Sequence, residues 1–271
     1  MSVEQLPSGL RYRHWRAGHS TKAVVLLAHG LGEHSGRYEA FAEQCNARDI
    51  AVLAPDHWGH GQSPGERVFA KDFDDYLSGM RECRAVAAAD YPQLPCFLFG
   101  HSMGGLIAAR LLLQDQSQYA GALLSGPAFA VTEPPPAPVM WLGRLLARVA
   151  PKAGMLALDA SGVSRDPEVV AAYRDDPLVH HGKVTAGLGV ALLDAMAKTL
   201  PRASSITLPI IVMHGGADTL AAAAGSEQFF QDLGSPDKTL RLLPGLYHEI
   251  LNEPEGDSIA LDYIQWLEDH L

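Results

Sequence analysis

The sequence predicts an α/β fold in which a mostly parallel central sheet carries helices on both faces. Short runs of Val, Leu, Ile and Ala recur along the 271 residues, separated by stretches with helical spacing. These runs are almost continuously apolar, which is typical of strands covered on both faces. Alternation of such strands with helices favours a doubly wound sheet. A chain of this length fits a single domain, 1–271, with an insertion.

The first apolar runs along the chain are predicted to start the sheet. We expect residues 10–16 to form an antiparallel edge strand ahead of the parallel ones. Six further runs share the near-continuous apolarity of buried parallel strands. They are 23–28, 50–54, 96–99, 121–124, 210–213 and 239–243.

Five stretches between and after these strands have helical spacing. They are 37–48, 72–90, 103–116, 226–233 and 257–270. The last of them shows the clearest stripe, the spacing of a helix packed on one side. That stripe consists of Ile259, Ala260, Tyr263, Ile264 and Leu267.

A segment at about 127–185 interrupts this alternation and is predicted to be an inserted helical lid, with no clear strand until Ile210. Its prolines exclude a central strand and predict a stiff start to the insertion; they are Pro134, Pro135, Pro136 and Pro138. An apolar helical face follows, made of Trp141, Leu142, Leu145, Leu146 and Val149 beside Arg144 and Arg148. We expect this face to pack on the core. The alternative is an apolar cover over a site, able to rest on a lipid surface.

Composition and charge exclude several classes of protein. The formal net charge is −10 and no basic cluster occurs, so nucleic acid is not expected as a partner. The three cysteines lack metal-ligand or redox spacing and are expected to be small buried hydrophobes. No run is apolar enough to be a signal peptide or to cross a bilayer, which predicts a cytoplasmic protein.

The strongest motif is Gly100-His101-Ser102-Met103-Gly104, which directly follows one predicted strand and opens a predicted helix. This G-x-S-x-G pattern in a strand–turn–helix context is typical of the nucleophile of the α/β-hydrolase fold. Gly100 and Gly104 are needed because side chains there would collide with the neighbouring strand and helix. The alternative, an ordinary turn, does not require this context. Ser102 is therefore the predicted nucleophile.

A serine hydroxyl needs a base to take its proton and an acid to orient that base. In this fold the acid and the histidine follow the serine in that order, on loops after later strands. Asp218 lies directly past the strand 210–213, and His248 lies past the strand 239–243. Either could be a turn or surface residue taken alone, but together with Ser102 they complete a triad. His214 and His270 are less well placed.

Stabilisation of the developing oxyanion requires two backbone N–H groups. Met103, directly after the nucleophile, is expected to supply one. Leu31 is expected to supply the other, from a loop in which Gly30 and Gly32 suit a backbone donor, although these glycines could simply make a turn. Dinucleotide, phosphate-loop and zinc motifs are incomplete, so no metal or organic cofactor is expected.

The order of these motifs resembles the monoacylglycerol lipases from about residue 8 to the end of the chain. The blocks that carry the resemblance are HGLGEHSGRY (29–38), DHWGHGQSPGER (56–67), GHSMGG (100–105), DPLVHHGKV (176–184), HGGAD (214–218) and PDKTLRLLPGLYHEILNE (236–253). The first two are more specific than GHSMGG, which many lipases and esterases share. The stretch EPPPAP within the lid departs most from the family.

The resemblance implies that Ser102, Asp218 and His248 are the catalytic triad and that Leu31 and Met103 are the oxyanion donors. It also places Glu33, Arg37 and Tyr173 near the glycerol head group. The implied reaction is hydrolysis of a long-chain monoacylglycerol, a small lipid ester, with transient membrane or micelle contact through the lid. A general carboxylesterase or lysophospholipase would use the same triad, and a non-catalytic binding protein of this fold would usually lack one member. Oligomeric state is left open.

Overall fold

An eight-stranded sheet forms the centre of the molecule in the computed structural model, which describes residues 1–70, 72–133, 136–157 and 159–271. A separate pair of short strands lies in the inserted segment. The strands are β1 (Ser2–Gln5), β2 (Arg11–Trp15), β3 (Ala23–Ala28), β4 (Ile50–Pro55), β5 (Cys96–His101), β6 (Gly121–Ser125), β7 (Gly154–Ala157), β8 (Lys183–Thr185), β9 (Ile210–Gly215) and β10 (Lys238–Leu243).

The strand order in the large sheet is β1-β2-β4-β3-β5-β6-β9-β10, and every neighbouring pair from β4 to β10 is parallel. This confirms the predicted mostly parallel sheet. β2 runs antiparallel to β4 as expected, but it is not the edge, because β1 pairs outside it. β1 was missed because its four residues alternate between exposed and half-buried and contain no apolar run. β10 is the opposite edge and is only partly buried. The expectation that it is covered on both faces was therefore wrong.

Eight α-helices occur among the described residues, and those flanking the large sheet lie on both of its faces. They are α1 (Glu39–Asn46), α2 (Asp75–Asp90), α3 (Met103–Asp115), α4 (Ala137–Val149), α5 (Pro167–Asp175), α6 (Ala186–Thr199), α7 (Ala223–Asp232) and α8 (Gly256–Glu268). The five predicted helices all form, with ends shifted by up to three residues. The three-residue shifts are at the starts of α2 and α7, and at α1 a 3₁₀ turn at Ser35–Tyr38 replaces the expected first turn.

The core consists of two apolar layers, one on each face of the sheet. Successive residues of β3 point alternately into the two layers, as the pleat of a strand requires. α2, α3, α6 and α7 pack on one layer, and α1 and α8 pack on the other. The predicted stripe of α8 is buried throughout. The cysteines Cys45, Cys83 and Cys96 are free and buried, as expected.

The segment between β6 and β9 contains α4, β7, α5, β8 and α6. The expectation that no clear strand occurs between Leu124 and Ile210 was wrong, because β7 and β8 pair antiparallel within this segment. β7 is four residues long and β8 is three, so both are too short to be recognised from apolar runs. Pro136 and Pro138 lie at the start of α4, whereas Pro134 and Pro135 lie outside the described residues.

The apolar face of α4 does not pack on the core, contrary to expectation. Trp141 is 67% exposed, Leu142 59% and Val149 71%. The reason is that α4 turns a different side inward, where Gly143 is buried and Met140 lines a cavity. A helix with apolar residues on most of its circumference can bury only one side when it lies on the surface of the insertion.

Candidate active site

Ser102 lies in the turn that joins β5 to α3, and its backbone is strained. Its φ of +52° and ψ of −118° lie in a region of backbone angles where residues other than glycine are rarely found. A Cβ at Gly100 would come within 2.4 Å of Gly104 O, and one at Gly104 would come within 1.9 Å of Ala28 O. Both glycines are therefore required by the close approach of strand and helix, as the motif predicted.

A second G-x-S-x-G pattern, residues 61–65, has no such context. Its serine, Ser63, lies in a loop and is buried. The Ser63 hydroxyl donates to Asp56 O (2.6 Å) and accepts the N–H of Arg11 (2.8 Å). These bonds tie the loop to the end of β2 and give the hydroxyl a structural role. The pattern alone therefore does not identify a nucleophile.

The predicted acid and base are hydrogen-bonded to each other. His248 Nδ1 lies 2.6 Å from Asp218 Oδ2, and both residues are buried. The other oxygen, Asp218 Oδ1, accepts the backbone N–H groups of Leu220 (2.8 Å) and Ala221 (3.0 Å). The carboxylate is thus fixed by its own loop after β9 and presents one oxygen to the imidazole. A carboxylate can only accept, so the hydrogen is on His248 Nδ1, leaving Nε2 as the basic nitrogen.

The loop after β6 brings Ser102 and His248 to the same place. Ser102 N–H donates to Ser125 O (3.0 Å) and Ala128 N–H donates to Ser102 O (2.9 Å). Gly126 lies between Ser125 and Ala128 in this loop, and a Cβ at Gly126 would lie 3.4 Å from His248 Nδ1. Ser102 Oγ and His248 are not hydrogen-bonded in this structure, although both residues line one cavity. Catalytic hydrogen bonds are often long without substrate and shorten in the reacting complex.

The charges around His248 favour its protonated form. Burial acts to lower the pKa of His248, but the hydrogen bond and charge of Asp218, with Glu249 and Glu33, raise it above its ordinary value. Burial likewise acts to raise the pKa of Asp218, but contacts with His214 and His248 hold it well below its usual range. A base must be neutral to take a proton, so the raised pKa moves the acid limit of its activity to higher pH.

The predicted oxyanion donors border the same cavity. Leu31 and Met103 line it, and no protein acceptor is recorded for either backbone N–H among the described residues. A Cβ at Gly30 would lie 3.3 Å from Ser102 Cβ, so the Leu31 loop lies directly against the predicted nucleophile. Glu33 holds this loop, because its Oε1 accepts the N–H of Gly30 at 2.6 Å. Glu33 therefore supports the loop as well as lining the cavity.

Glu33 also belongs to a buried charge network with Arg37, Glu249 and Tyr173. Arg37 donates to both oxygens of Glu249 (2.5 and 2.7 Å) and to Glu33 Oε2 (2.9 Å). Its guanidinium lies 4.7 Å from the centre of the Tyr173 ring. Burial raises the pKa of Glu33, whereas at Glu249 the Arg37 guanidinium outweighs burial and lowers the pKa. Glu33, Tyr173 and Glu249 line the cavity, and Arg37 lies behind them.

Sequence reasoning missed three residues of the site. Glu249 directly follows the predicted catalytic His248, and this position could have marked it as a site residue. Its pairing with Arg37 cannot be predicted from the sequence. His101 packs against His248 with ring centres 4.7 Å apart, and burial lowers its pKa to about 3, so it remains neutral there. His214, judged less well placed, contacts Asp218. The other rejected histidine, His270, stacks on Trp266 outside the cavity.

The cavity above Ser102 has a volume of about 870 Å³ and is largely apolar. That volume is within the range of sites for small organic ligands. Its polar lining includes Ser102, Asp218, His248 and Glu33, and much of its apolar lining comes from the segment between β6 and β9. The apolar residues of that segment include Met140, Met155, Val184, Leu192, Leu193 and Met196. Such a cavity suits a molecule with a long apolar tail and one polar, cleavable end.

Metal sites and membrane-spanning helices are two further features that bear on function, and both can be judged in the described parts of the chain. No group of three or more His, Cys, Asp and Glu residues there is arranged to hold a metal ion. Among the same residues, none of the helices has the length and apolarity needed to span a membrane.

Known proteins similar to this chain match it along nearly its whole length. A family model described as "Serine aminopeptidase, S33" matches residues 19–255. The monoacylglycerol lipase of Mycolicibacterium smegmatis is 40% identical over 96% of this chain and 93% of its own. The monoglyceride lipase of Rattus norvegicus is 34% identical over 93% and 84%.

Solved structures extend the comparison to three dimensions. The monoacylglycerol lipase of Paleococcus ferrophilus superposes with a TM-score of 0.87 at 31% identity, covering 100% of both chains. A soluble variant of the Saccharomyces cerevisiae monoglyceride lipase, in complex with a substrate analog, gives 0.85 at 26% identity, covering 99% of this chain and 94% of its own. The similarity therefore includes the inserted segment as well as the sheet.

Proposed function

Since the chain belongs to the monoacylglycerol lipase family of the α/β-hydrolase fold, we propose that it hydrolyses long-chain monoacylglycerols to fatty acid and glycerol. As a member of that family it is a carboxylic ester hydrolase. The observation that carries the proposal is the strained Ser102 and the hydrogen-bonded pair Asp218–His248 opening on one apolar cavity. Relatives at 40% and 34% identity carry lipase names, which supports this substrate class.

In the proposed reaction, Ser102 Oγ attacks the ester carbonyl while His248 Nε2 takes its proton. The N–H groups of Leu31 and Met103 donate to the oxyanion that forms. His248 then gives the proton to the glycerol oxygen, which leaves, and the acyl group remains on Ser102. Water, deprotonated by His248, attacks this acyl-enzyme, and the bond to Ser102 breaks as His248 returns the proton to Ser102 Oγ and the fatty acid leaves. Asp218 keeps the hydrogen on Nδ1 and stabilises the imidazolium.

The two ends of the substrate match the two ends of the cavity. The acyl chain is placed in the apolar part built by the insertion. The glycerol hydroxyls are placed beside Glu33 and Tyr173, which line the polar end, while Arg37 acts from behind by holding these side chains. Ester cleavage at Ser102 then separates the parts that the protein binds differently.

A substrate panel tests the proposal. Hydrolysis of mono-, di- and triacylglycerols of one acyl chain is measured beside a lysophospholipid and a short soluble ester. We expect kcat/KM to be highest for the monoacylglycerol, because a second acyl chain or a charged phosphate has no matching wall at the polar end. A preference for the lysophospholipid, or equal rates on all esters, would assign the same triad to a lysophospholipase or a general carboxylesterase.

We also propose that residues 127–185 act as a lid whose helix α4 rests on lipid surfaces. Trp141, Leu142 and Leu145 are exposed large apolar side chains on this helix, and Val149 extends the patch. Arg144 and Arg148 lie beside them. An exposed apolar helical face with flanking arginines fits a membrane interface. Because the net charge is −10, contact is expected through the apolar face and not through general attraction to anionic lipid.

Replacing Trp141 and Leu145 together by Gln is expected to weaken binding to phosphatidylcholine vesicles by about tenfold or more, since each buried side chain of this size contributes roughly 1.5–3 kcal/mol. Vesicle co-sedimentation measures the binding, and turnover of a short soluble ester is measured in parallel. That turnover is expected to stay unchanged.

A matched control replaces two exposed leucines outside the insertion, Leu242 (39% exposed) and Leu261 (46%), by Gln. Vesicle binding of this control should equal that of the wild type. Equal loss of vesicle binding in both double variants, or parallel loss of short-ester turnover in the α4 variant, would remove α4 as the docking helix.

A further inference from the structure

Asp218 contacts a second histidine that the proposed mechanism does not use. His214 lies near the end of β9, four residues before Asp218, and its Nε2 is 3.0 Å from Asp218 Oδ2. Both side chains are fully buried. The same oxygen is 2.6 Å from His248 Nδ1. One carboxylate oxygen is therefore shared between two imidazoles, only one of which borders the cavity.

The neighbours of His214 decide which of its nitrogens carries hydrogen. Nε2 faces Asp218 Oδ2 and Ala221 O (3.2 Å), two oxygens that can only accept. Nε2 must therefore carry a hydrogen, which it donates to Ala221 O while lying beside Asp218 Oδ2. Nδ1 lies 2.7 Å from the hydroxyl of Ser226, a buried residue of α7 that can donate to it. Ser226 and Ala221 thus fix the ring, and they hold its N–H beside the predicted triad acid.

We propose that His214 is a positioning residue for catalysis, which holds Asp218 through its Nε2–H and limits how strongly Oδ2 attracts the His248 ring. The inference rests on the proposed function, because it acts through the triad. Three N–H groups donate to the carboxylate, Leu220 and Ala221 at Oδ1 and His248 at Oδ2, and His214 Nε2 lies 3.0 Å from Oδ2 as a fourth polar contact. Fixed donors of this kind preserve reacting geometry.

Loss of the His214 donor has two expected consequences. Oδ2 would keep more negative charge for His248, which stabilises the imidazolium and raises the pKa of His248 further. The carboxylate would also lose one of the contacts that orient it. The other titratable groups near His248 are Glu249, Glu33 and His101, and they stay the same in the comparison below.

The test compares the wild type with His214→Phe, which removes the donor, and His214→Gln, which offers an N–H in its place. Profiles of kcat and kcat/KM against pH are measured on a short soluble ester. For His214→Phe we expect kcat to fall about tenfold, the low end for losing a hydrogen bond to a charged group. KM should change less than twofold. The acid limb, which is the fall of activity on the low-pH side of the profile, should move to higher pH. His214→Gln should recover most of kcat and return the acid limb toward that of the wild type.

Two further variants separate positioning from folding. Ser226→Ala frees the His214 ring and should shift the acid limb in the same direction by a smaller amount, so it serves if His214→Phe does not fold. His14→Phe removes another fully buried histidine, on β2 and outside the cavity lining, and should leave the acid limb unmoved.

An acid limb that stays in place in His214→Phe, or in Ser226→Ala where only that variant folds, overturns the inference. A folded His214→Gln that behaves like His214→Phe also overturns it. Failure of the proposed function shows differently, as ester turnover that survives loss of Ser102, and it is read from the Ser102→Ala variant.

Discussion

Ser102→Ala is expected to lower ester hydrolysis by about four to six orders of magnitude, the range seen when a triad nucleophile is lost. The effect is large because no other hydroxyl in the described cavity lining has a buried acid–histidine pair behind it. Residual turnover would come from the oxyanion donors and from binding alone. Initial rates on a monoacylglycerol and on a short soluble ester measure the loss, and a fluorophosphonate probe should no longer label the protein.

Ser63→Ala is the matched control, since Ser63 lies in the other G-x-S-x-G pattern. Loss of its two hydrogen bonds should lower the free energy of unfolding by roughly 1–3 kcal/mol. Fluorophosphonate labelling and turnover should be retained at moderate temperature. Most of the activity surviving in Ser102→Ala, or labelling lost in Ser63→Ala and kept in Ser102→Ala, would refute the assignment of the nucleophile.

Runs of apolar residues predict some strands of this fold and not others. The runs that became β3 and β5 are predictable because a strand buried on both faces must be apolar at every position. The acid and histidine positions follow from the same pattern, since parallel strands end at one edge of the sheet. β1, β7 and β8 were missed because they are short and bury little apolar surface.

Contacts across the chain explain the remaining errors. The sequence of α4 is apolar on both sides, so it does not show which side is buried. In the structure the side with Gly143 faces inward, and the side with Trp141 and Leu142 is exposed. The bond between Arg37 and Glu249 joins residues 212 positions apart. His214 has the i,i+4 spacing to Asp218, but that spacing says nothing outside a helix. Its contact arises because the loop after β9 turns back on the strand end.

The same loop makes Asp218→Asn the second large expected effect. The amide oxygen of Asn should take the place of Oδ1, because Leu220 and Ala221 point N–H groups there. The amide nitrogen then occupies the place of Oδ2 and points its hydrogens at His248 Nδ1. His248 must adopt the opposite tautomer, with its hydrogen on Nε2, and can no longer accept the proton of Ser102. Loss of this tautomer is expected to lower kcat by about 10⁴-fold.

A second contact makes this substitution more costly here than at a triad with one histidine. The amide hydrogens would also meet the Nε2–H of His214, which then keeps only Ala221 O as an acceptor. Asp237→Asn is the matched control, because Asp237 contacts His270 Nε2 at 3.1 Å in an exposed pair outside the cavity. The control should keep wild-type kcat. If Asp218→Asn retains more than a tenth of wild-type kcat at neutral pH, the Asp218–His248 hydrogen bond does not set the tautomer that the proposed reaction needs.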